Sequence, residues 1–212
     1  MSPELRLFED VLSGDSQVEL PACARMVFVV HGALVVDGRT FGAGTAWHGE
    51  AAVTLASGLE GACCWRWDFG AAGRVVGPGV RSREKLAARL DTLPAGDLLM
   101  RGDSVAFPPG GCAYLHRHQG PGIRCMLEGG IRIDTHGRSN SYGPGGAWYE
   151  TGPDPVFAQA AMDRPSRFIR VMILPRALLG KSSIEYLNEE DKGKPRSQQY
   201  QVFVDAPIAA RL

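Results

Sequence analysis

VFVVHGALVVDGR, at residues 27–39, and RCMLEGGIRIDTHGR, at residues 124–138, follow the same pattern. Each stretch begins with apolar residues, passes through a glycine, continues with an alternating segment and ends at a second glycine. Alternation with a period of two is typical of half-buried strands, and β-branched residues favour them. In the first copy the pattern predicts strands at Val27–Val30 and Ala33–Val36, with a turn at Gly32 between them.

Further matches between the two halves of the chain indicate a duplication. They occur in the same order along both halves: Gly14-Asp15-Ser16 with Gly102-Asp103-Ser104, His31-Gly32 with Glu128-Gly129, Gly38-Arg39 with Gly137-Arg138, and Gly44-Thr45-Ala46-Trp47 with Gly145-Gly146-Ala147-Trp148. Self-similarity of this kind is the signature of a repeated structural unit. The 212 residues are therefore expected to form two similar domains, each of an ordinary size of roughly 100 residues.

The composition favours many short strands over a helical bundle, because 27 glycines and 14 prolines accompany 44% apolar residues. Closing strands of the two halves are predicted at Gly61–Phe69 and Arg167–Leu174. Near the end of the chain, Tyr200–Val204 alternates like a strand, which is expected to pair with an open sheet edge.

One segment between the halves is predicted to be helical. Ser82 can cap a helix there, and Leu86, Leu90 and Leu93 share one helical face. We therefore expect a linker helix that joins the two domains.

The charge balance and the apolar pattern argue against two classes of partner. Lys+Arg and Asp+Glu both total 23, so no basic excess is available for nucleic acid. Acidic and basic residues interrupt Met1–Leu12, and no apolar run approaches the ~20 residues of a membrane span. The five cysteines contain no CxxC pair, which favours reduced thiols and a cytoplasmic location.

The segment Pro108–His118, PPGGCAYLHRH, contains a possible metal-binding pair. Residues two apart on a strand point to the same face. His116 and His118 are therefore expected to converge on one cation, while Arg117 faces away.

At these residues the chain resembles the cupin superfamily of RmlC-like jelly rolls, and specifically a bicupin. The resemblance is carried by Gly110–His118, by Leu127-Glu128-Gly129 and by Gly145–Trp148. It implies an all-β fold of two tandem jelly-roll barrels. The domains are then expected at residues 1–80 and 97–180, with the linker helix at 81–96 and a C-terminal arm at 181–212.

The resemblance also implies one metal ion inside a barrel, held by two histidines and a glutamate of a first motif and by a histidine of a second. Here the glutamate position falls near Gly122, and the second-motif histidine position falls near Pro155–Phe157. In the first half the alignment places Glu19 and Pro21 against the histidine pair. The N-terminal half is therefore expected to lack metal ligands.

Four other residues are candidates for the site. Glu150 ends a strand that would line the same barrel and is the expected third ligand, with a solvated strand-end acid as the alternative. Gln159 is a fourth ligand candidate. Arg124 should face inward and could hold a substrate carboxylate, as could Arg170, although either arginine could instead face outward.

Two histidines and one carboxylate form the triad that suits Fe(II), with Mn, Ni or Zn as alternatives. The expected function is a metal-dependent enzyme, of dioxygenase type, acting on a small carboxylate or carbonyl compound, with isomerisation or C–C cleavage as other versions. A non-catalytic binding or sensory bicupin is the alternative. A small-molecule substrate or ligand is the expected partner, and the sequence leaves both monomer and homodimer open.

Overall fold

The computed structural model describes residues 3–70 and 73–209, and almost all of its regular structure consists of antiparallel strands. The all-β prediction is confirmed. The chain divides into two compact units, one extending to Leu90 and including Ile208 and Ala209, the other spanning Asp91–Pro207. Among the described residues, no helix has the length and apolar content needed to cross a membrane.

The first unit is one sheet built on two long strands. Its strands are β1 (Glu4–Leu12), β2 (Gln17–Leu20), β3 (Ala24–Val36), β4 (Arg39–Gly42), β5 (Ala46–Gly49), β6 (Val53–Phe69) and β7 (Val80–Arg89). Their order is β4-β3-β6-β1-β7, with β5 beside β3 and β2 beside β6. Apolar side chains of β1, β2, β3 and β6 form the core of this unit.

The predicted turn at Gly32 is wrong, because β3 continues through it. The pairing of β3 with β6 shifts register on both sides of Gly32, which makes this position a β-bulge. Gly32 has a φ of +73°, and a Cβ placed there would lie 2.2 Å from the carbonyl oxygen of Gly61. The glycine therefore allows two backbones to approach each other inside a continuous strand.

The second unit contains two sheets of five strands. The strands are β8 (Leu98–Phe107), β9 (Cys112–His118), β10 (Gly122–Glu128), β11 (Ile131–Thr135), β12 (Arg138–Tyr142), β13 (Ala147–Glu150), β14 (Val156–Ala160), β15 (Ser166–Pro175), β16 (Ile184–Tyr186) and β17 (Gln199–Ile208). The sheet orders are β13-β10-β15-β8-β17 and β12-β11-β14-β9-β16. Apolar side chains from both sheets share one core, as in a sandwich.

The strand orders of the two units correspond, which supports the duplication. The order β5-β3-β6-β1-β7 repeats as β13-β10-β15-β8-β17, and β4-β3-β6-β2 repeats as β12-β11-β14-β9. Matching hairpins close on Asp37-Gly38 and on His136-Gly137, and all four residues have positive φ, as a two-residue type I′ turn requires. The backbone N–H groups of Gly44 and Gly145 also donate hydrogen bonds to equivalent carbonyl groups, those of Val29 and Met126.

Two details of the predicted repeat and barrels differ from the structure. Gly14–Ser16 lies in the turn after β1, whereas Gly102–Ser104 lies inside β8, so this pair of segments is not structurally equivalent. The jelly-roll sheets are present, but no strand order among the described residues closes on itself. The two units are therefore open sheets rather than closed barrels.

The predicted linker helix is also wrong, because Val80–Arg89 forms the edge strand β7. It pairs with β1 along its whole length, with Leu86 opposite Leu7. The leucine spacing and Ser82 are compatible with a helix, but the free edge of β1 offers a complete row of backbone hydrogen bonds. Tertiary pairing of this kind overrides a weak helix propensity.

The C-terminal arm adds edge strands to both sheets of the second unit. The prediction of a strand at Tyr200–Val204 is confirmed, since β17 pairs with β8 at the edge of one sheet. Upstream, β16 pairs with β9 at the edge of the other sheet, with Ile184 opposite His118 and Tyr186 opposite His116. A single turn of helix, α1 (Glu189–Lys192), lies between these strands.

The bulge in β3 can be tested by comparing two glycines with the same backbone conformation. Gly32 and Gly38 both have a φ of +73°, but among the described residues a Cβ at Gly38 would meet nothing within 4 Å. Gly38→Ala is expected to cost the strain of a left-handed residue, about 1–2 kcal/mol. Gly32→Ala should cost about 1–3 kcal/mol more, because its methyl group also displaces the Gly61 carbonyl. Urea unfolding of the full chain measures the difference, and equal midpoints would contradict the close approach.

Candidate metal centre

Both candidate histidines point from β9 into the interior of the second unit. His116 and His118 are 4% and 5% exposed, while Arg117 between them is exposed and pairs with Glu185. The two imidazole rings lie 4.9 Å apart, centre to centre, in an edge-to-face arrangement. The alternation of the strand thus brings the two rings together.

Glu150 supplies a carboxylate beside this pair from a strand of the other sheet. It lies on β13 directly opposite Gly122 of β10, and its Oε2 is 3.8 Å from Nε2 of His118. A side chain cannot replace Gly122, since a Cβ there would lie 2.3 Å from the carbonyl oxygen of Val171. Residues directly opposite each other on paired strands share a face. Glu150 therefore supplies a carboxylate at this part of the sheet, where position 122 has no room for a side chain.

Two neighbours hold the Glu150 carboxylate. The indole Nε1 of Trp148 donates a hydrogen bond of 2.8 Å to Oε1. Nη2 of Arg124 lies 2.7 Å from Oε2, close enough for an ion pair, although its N–H groups are not aligned for a hydrogen bond. Arg124 is 1% exposed, and burial lowers its pKa to about 10. The arginine is thus inward-facing and bound to the acid rather than free.

Arg170 is the second inward-facing arginine, and Asp103 of β8 holds it. Two hydrogen bonds, of 2.9 and 2.7 Å, join the guanidinium to the Asp103 carboxylate in a bidentate pair. Nη1 of Arg170 lies 3.4 Å from Nε2 of His118. Asp103 was not predicted as a site residue, although a charged side chain within the apolar run Leu98–Phe107 is a signal that could have identified it.

The environment keeps both imidazoles neutral. Burial lowers the pKa of His116. Burial also lowers the pKa of His118, well below its ordinary value, and the neighbouring Arg170 adds to the effect. Nδ1 of His116 lies 2.6 Å from the carbonyl oxygen of Tyr114. Since a carbonyl group only accepts, Nδ1 carries the proton, and Nε2 is left with its lone pair, as in many metal-bound histidines.

A small cavity of about 20 Å³ lies between these groups. This volume is close to the space of one water molecule. The polar groups that line it are His116, His118, Arg124, Glu150, Arg170 and Tyr200, and the apolar ones are Val105, Phe107, Ala113, Ile133, Val156, Ala158, Phe168 and Ile184. The interior can therefore accept one ion or one water molecule, but not the body of an organic substrate.

Gln159 does not join this group, which contradicts the prediction that it is a ligand. It lies opposite Cys112, and its Nε2 donates to the carbonyl oxygens of Gly110 and Gly111. Its neighbour Ala158 lines the cavity. Successive residues of a strand face opposite ways, so Gln159 points away from the histidines.

The same place in the first unit contains different residues. The strand registers give three correspondences: Val27 with Arg124, Gly49 with Glu150, and Arg66 with Arg170. On β2, which corresponds to β9, the buried positions are Val18 and Leu20, and Glu19 is exposed. The inward positions are thus one residue away from those that the sequence alignment placed against the histidines.

The side chains at the histidine pair are of the types that bind divalent metal ions, although their present arrangement does not form a metal site. In the part of the chain that the structure describes, no three His, Cys, Asp or Glu residues are arranged as a metal site. Two neutral imidazoles, one with an accessible Nε2, and one carboxylate are nevertheless a common set of ligands. Binding an ion would require the Glu150 carboxylate to turn from Arg124 towards the histidines.

Comparison with known proteins shows the fold alone. No protein-family model matches the chain, and no curated protein matches it. Among solved structures, AerE from Microcystis aeruginosa matches with a TM-score of 0.60 and 13% identity, over 82% of this chain and 93% of that one. A mutant of Bacillus subtilis oxalate decarboxylase, a bicupin, matches with a TM-score of 0.63 and 14% identity, over 90% of this chain and 73% of that one. The chain therefore has a fold of the cupin type.

A double-mutant cycle can test the buried pair between Arg124 and Glu150. Arg124→Met is expected to destabilise the metal-free protein by about 3–5 kcal/mol, because it leaves a buried carboxylate without its partner. Adding Glu150→Gln should recover part of this loss, with a coupling energy of about 1–3 kcal/mol in urea unfolding.

The pair between Arg132 and Asp134, whose side chains are 48% and 35% exposed, provides the matched control. Arg132→Met and Asp134→Asn should couple by less than about 1 kcal/mol. If the Arg124 and Glu150 substitutions are additive instead, the two side chains do not interact as described.

Proposed function

We propose that the second unit is a metal-dependent enzyme that acts on a small organic carboxylate or carbonyl compound. The observation that carries this proposal is the convergence of two buried neutral imidazoles and one carboxylate on a cavity the size of a single ion. His116, His118 and Glu150 would hold the metal ion. Buried polar groups are costly unless they have a function or a partner, and Nε2 of His118 lies 3.4 Å from Nη1 of Arg170 and 3.8 Å from Oε2 of Glu150.

A bound divalent ion would supply Lewis acidity and, as Fe(II) in a site of two histidines and one carboxylate, open positions for a substrate and O₂. We therefore propose dioxygenase chemistry as the first version of this function. Lewis-acid isomerisation or C–C cleavage is the second. The metal is proposed to be Fe(II), with Mn, Ni and Zn as alternatives; one solved structure of the Bacillus subtilis oxalate decarboxylase is described by its Mn(II) centres.

The residues of the chain have separate tasks in this proposal. Arg124, once Glu150 turns to the metal, would keep its hydrogen bond from Nη1 to the Gly122 carbonyl and would have Nη2 free to hold a substrate oxygen. Arg170 keeps its place because Asp103 binds it in bidentate fashion. Apolar side chains such as Phe107, Ile133 and Phe168 line the rest of the cavity and exclude water, which strengthens these interactions.

A non-catalytic binding protein is the second candidate, and the ion pair between Arg124 and Glu150 favours it. That pair and the pair between Arg170 and Asp103 already balance the charge of the interior when both histidines are neutral. A divalent cation would then add charge next to two guanidinium groups. In this version the protein binds a small metabolite and leaves it unchanged.

Metal loading of the full chain, purified without a histidine tag, tests the proposal. The wild-type protein, reconstituted without oxygen with Fe(II) or Mn(II) and then desalted, should retain about one ion per chain by mass spectrometry of the metal. His118→Ala and Glu150→Ala should each retain at least tenfold less, because each removes one of three ligands.

His136→Ala is the matched control, since this histidine lies in an exposed turn beside Asp154, and it should load like the wild type. Circular dichroism verifies that the variants are folded. Retention of much less than one ion by the wild type would reject the enzyme, and so would equal retention by His118→Ala.

A further inference from the structure

A larger chamber lies beside the cavity at the histidines, and residues of the C-terminal arm form much of its lining. This outer chamber has a volume of about 310 Å³ and shares His118, Arg170, Ile184 and Tyr200 with the inner cavity. Its remaining lining residues are Arg101, Asp103, Gly180, Lys181, Ser182, Ser183, Arg196 and Val202. Volumes of this size are typical of small-molecule sites, whereas the inner cavity accepts a single ion.

The outer chamber carries more positive than negative charge, which favours the binding of an anion. Two of its four cations are bound within the protein, since Arg101 pairs with Asp205 and Arg170 with Asp103. The Lys181 ammonium and the Arg196 guanidinium have no ion-pair partner among the described residues. Both belong to the arm and line the chamber. A concave surface with excess positive charge attracts anions.

The chamber also has an apolar wall that faces solvent. Tyr200 and Val202 of β17 are 44% and 57% exposed, although both are large hydrophobic residues. Ile184 of β16 lies on the same surface, and the ring of Tyr200 lies 5.9 Å from the guanidinium carbon of Arg170. An apolar group that covers this wall would remove it from water, at about 25 cal/mol for each Å² that is buried.

We infer that the outer chamber binds the body of the substrate, and that the substrate is a carboxylate with an apolar part about the size of an aromatic ring. Lys181 and Arg196 hold the carboxylate, Tyr200, Val202 and Ile184 cover the apolar part, and the opposite end reaches His118. The specificity-determining residues therefore lie in the arm. This inference rests on the proposed function for the identity of the reacting end, but the binding step does not need the metal.

Isothermal titration of the metal-free full chain tests the inference, with benzoate as the probe and benzamide as its neutral isostere. Benzoate should bind, and benzamide at least tenfold more weakly, because it lacks the charge that Lys181 and Arg196 attract. The double variant Lys181→Ala/Arg196→Ala should weaken benzoate binding at least tenfold. Arg138→Ala, on β12 and outside the chamber, is the matched control and should bind benzoate like the wild type.

Three results would overturn the inference: no binding of benzoate by the wild type, equal binding of benzoate and benzamide, or the same loss in Arg138→Ala as in the double variant. The titration uses metal-free protein, so its result does not depend on whether the proposed enzyme binds a metal ion. Metal uptake without benzoate binding rejects the chamber alone, whereas benzoate binding without metal uptake rejects the enzyme alone.

Discussion

Two buried arginines lie directly opposite each other in the central strand pair of the second unit, Arg124 on β10 and Arg170 on β15. Like charges in this arrangement repel, and removing each guanidinium from water is costly. The two strands that flank this pair supply one acid each, Glu150 from β13 and Asp103 from β8, and these acids offset the cost. The register of these four strands therefore decides which buried charges pair, and removing any one of the four side chains would leave its partner's charge unpaired.

The first unit has the same strand arrangement, but its buried charged residues form a different network. Its buried charges, Asp10, Arg25, Arg66 and Asp68, pair with one another, with backbone carbonyl groups and with the Ser82 hydroxyl, and all four are fully buried. Phe8 lies opposite Arg66, where Asp103 lies opposite Arg170 in the second unit, and the guanidinium carbon is 4.3 Å from the centre of its ring. This network is closed and structural, whereas its counterpart borders on a cavity.

The two sheets and the C-terminal arm border spaces of very different volume. The frame places imidazoles, guanidinium groups and a carboxylate around about 20 Å³, which leaves no room to discriminate between organic substrates. The arm adds β16 and β17 to the free edges of the two sheets and encloses about 310 Å³ outside them. In the proposed function, a change in the arm would therefore alter what binds without disturbing the charges that hold the frame together.

The sequence by itself determined the features that depend on local periodicity and on glycine. The alternation of β9 places His116 and His118 on one face, and the glycine pairs 32/129 and 38/137 mark the same positive-φ positions in both halves. Tertiary structure decided the rest. Leucine spacing predicts a linker helix at 81–96, but the free edge of β1 makes Val80–Arg89 a strand, because backbone hydrogen bonds between distant segments outweigh local propensity. Gln159 faces away from the site, and Asp103 faces Arg170, for the same reason: register between strands depends on the whole sheet, and no local pattern records it.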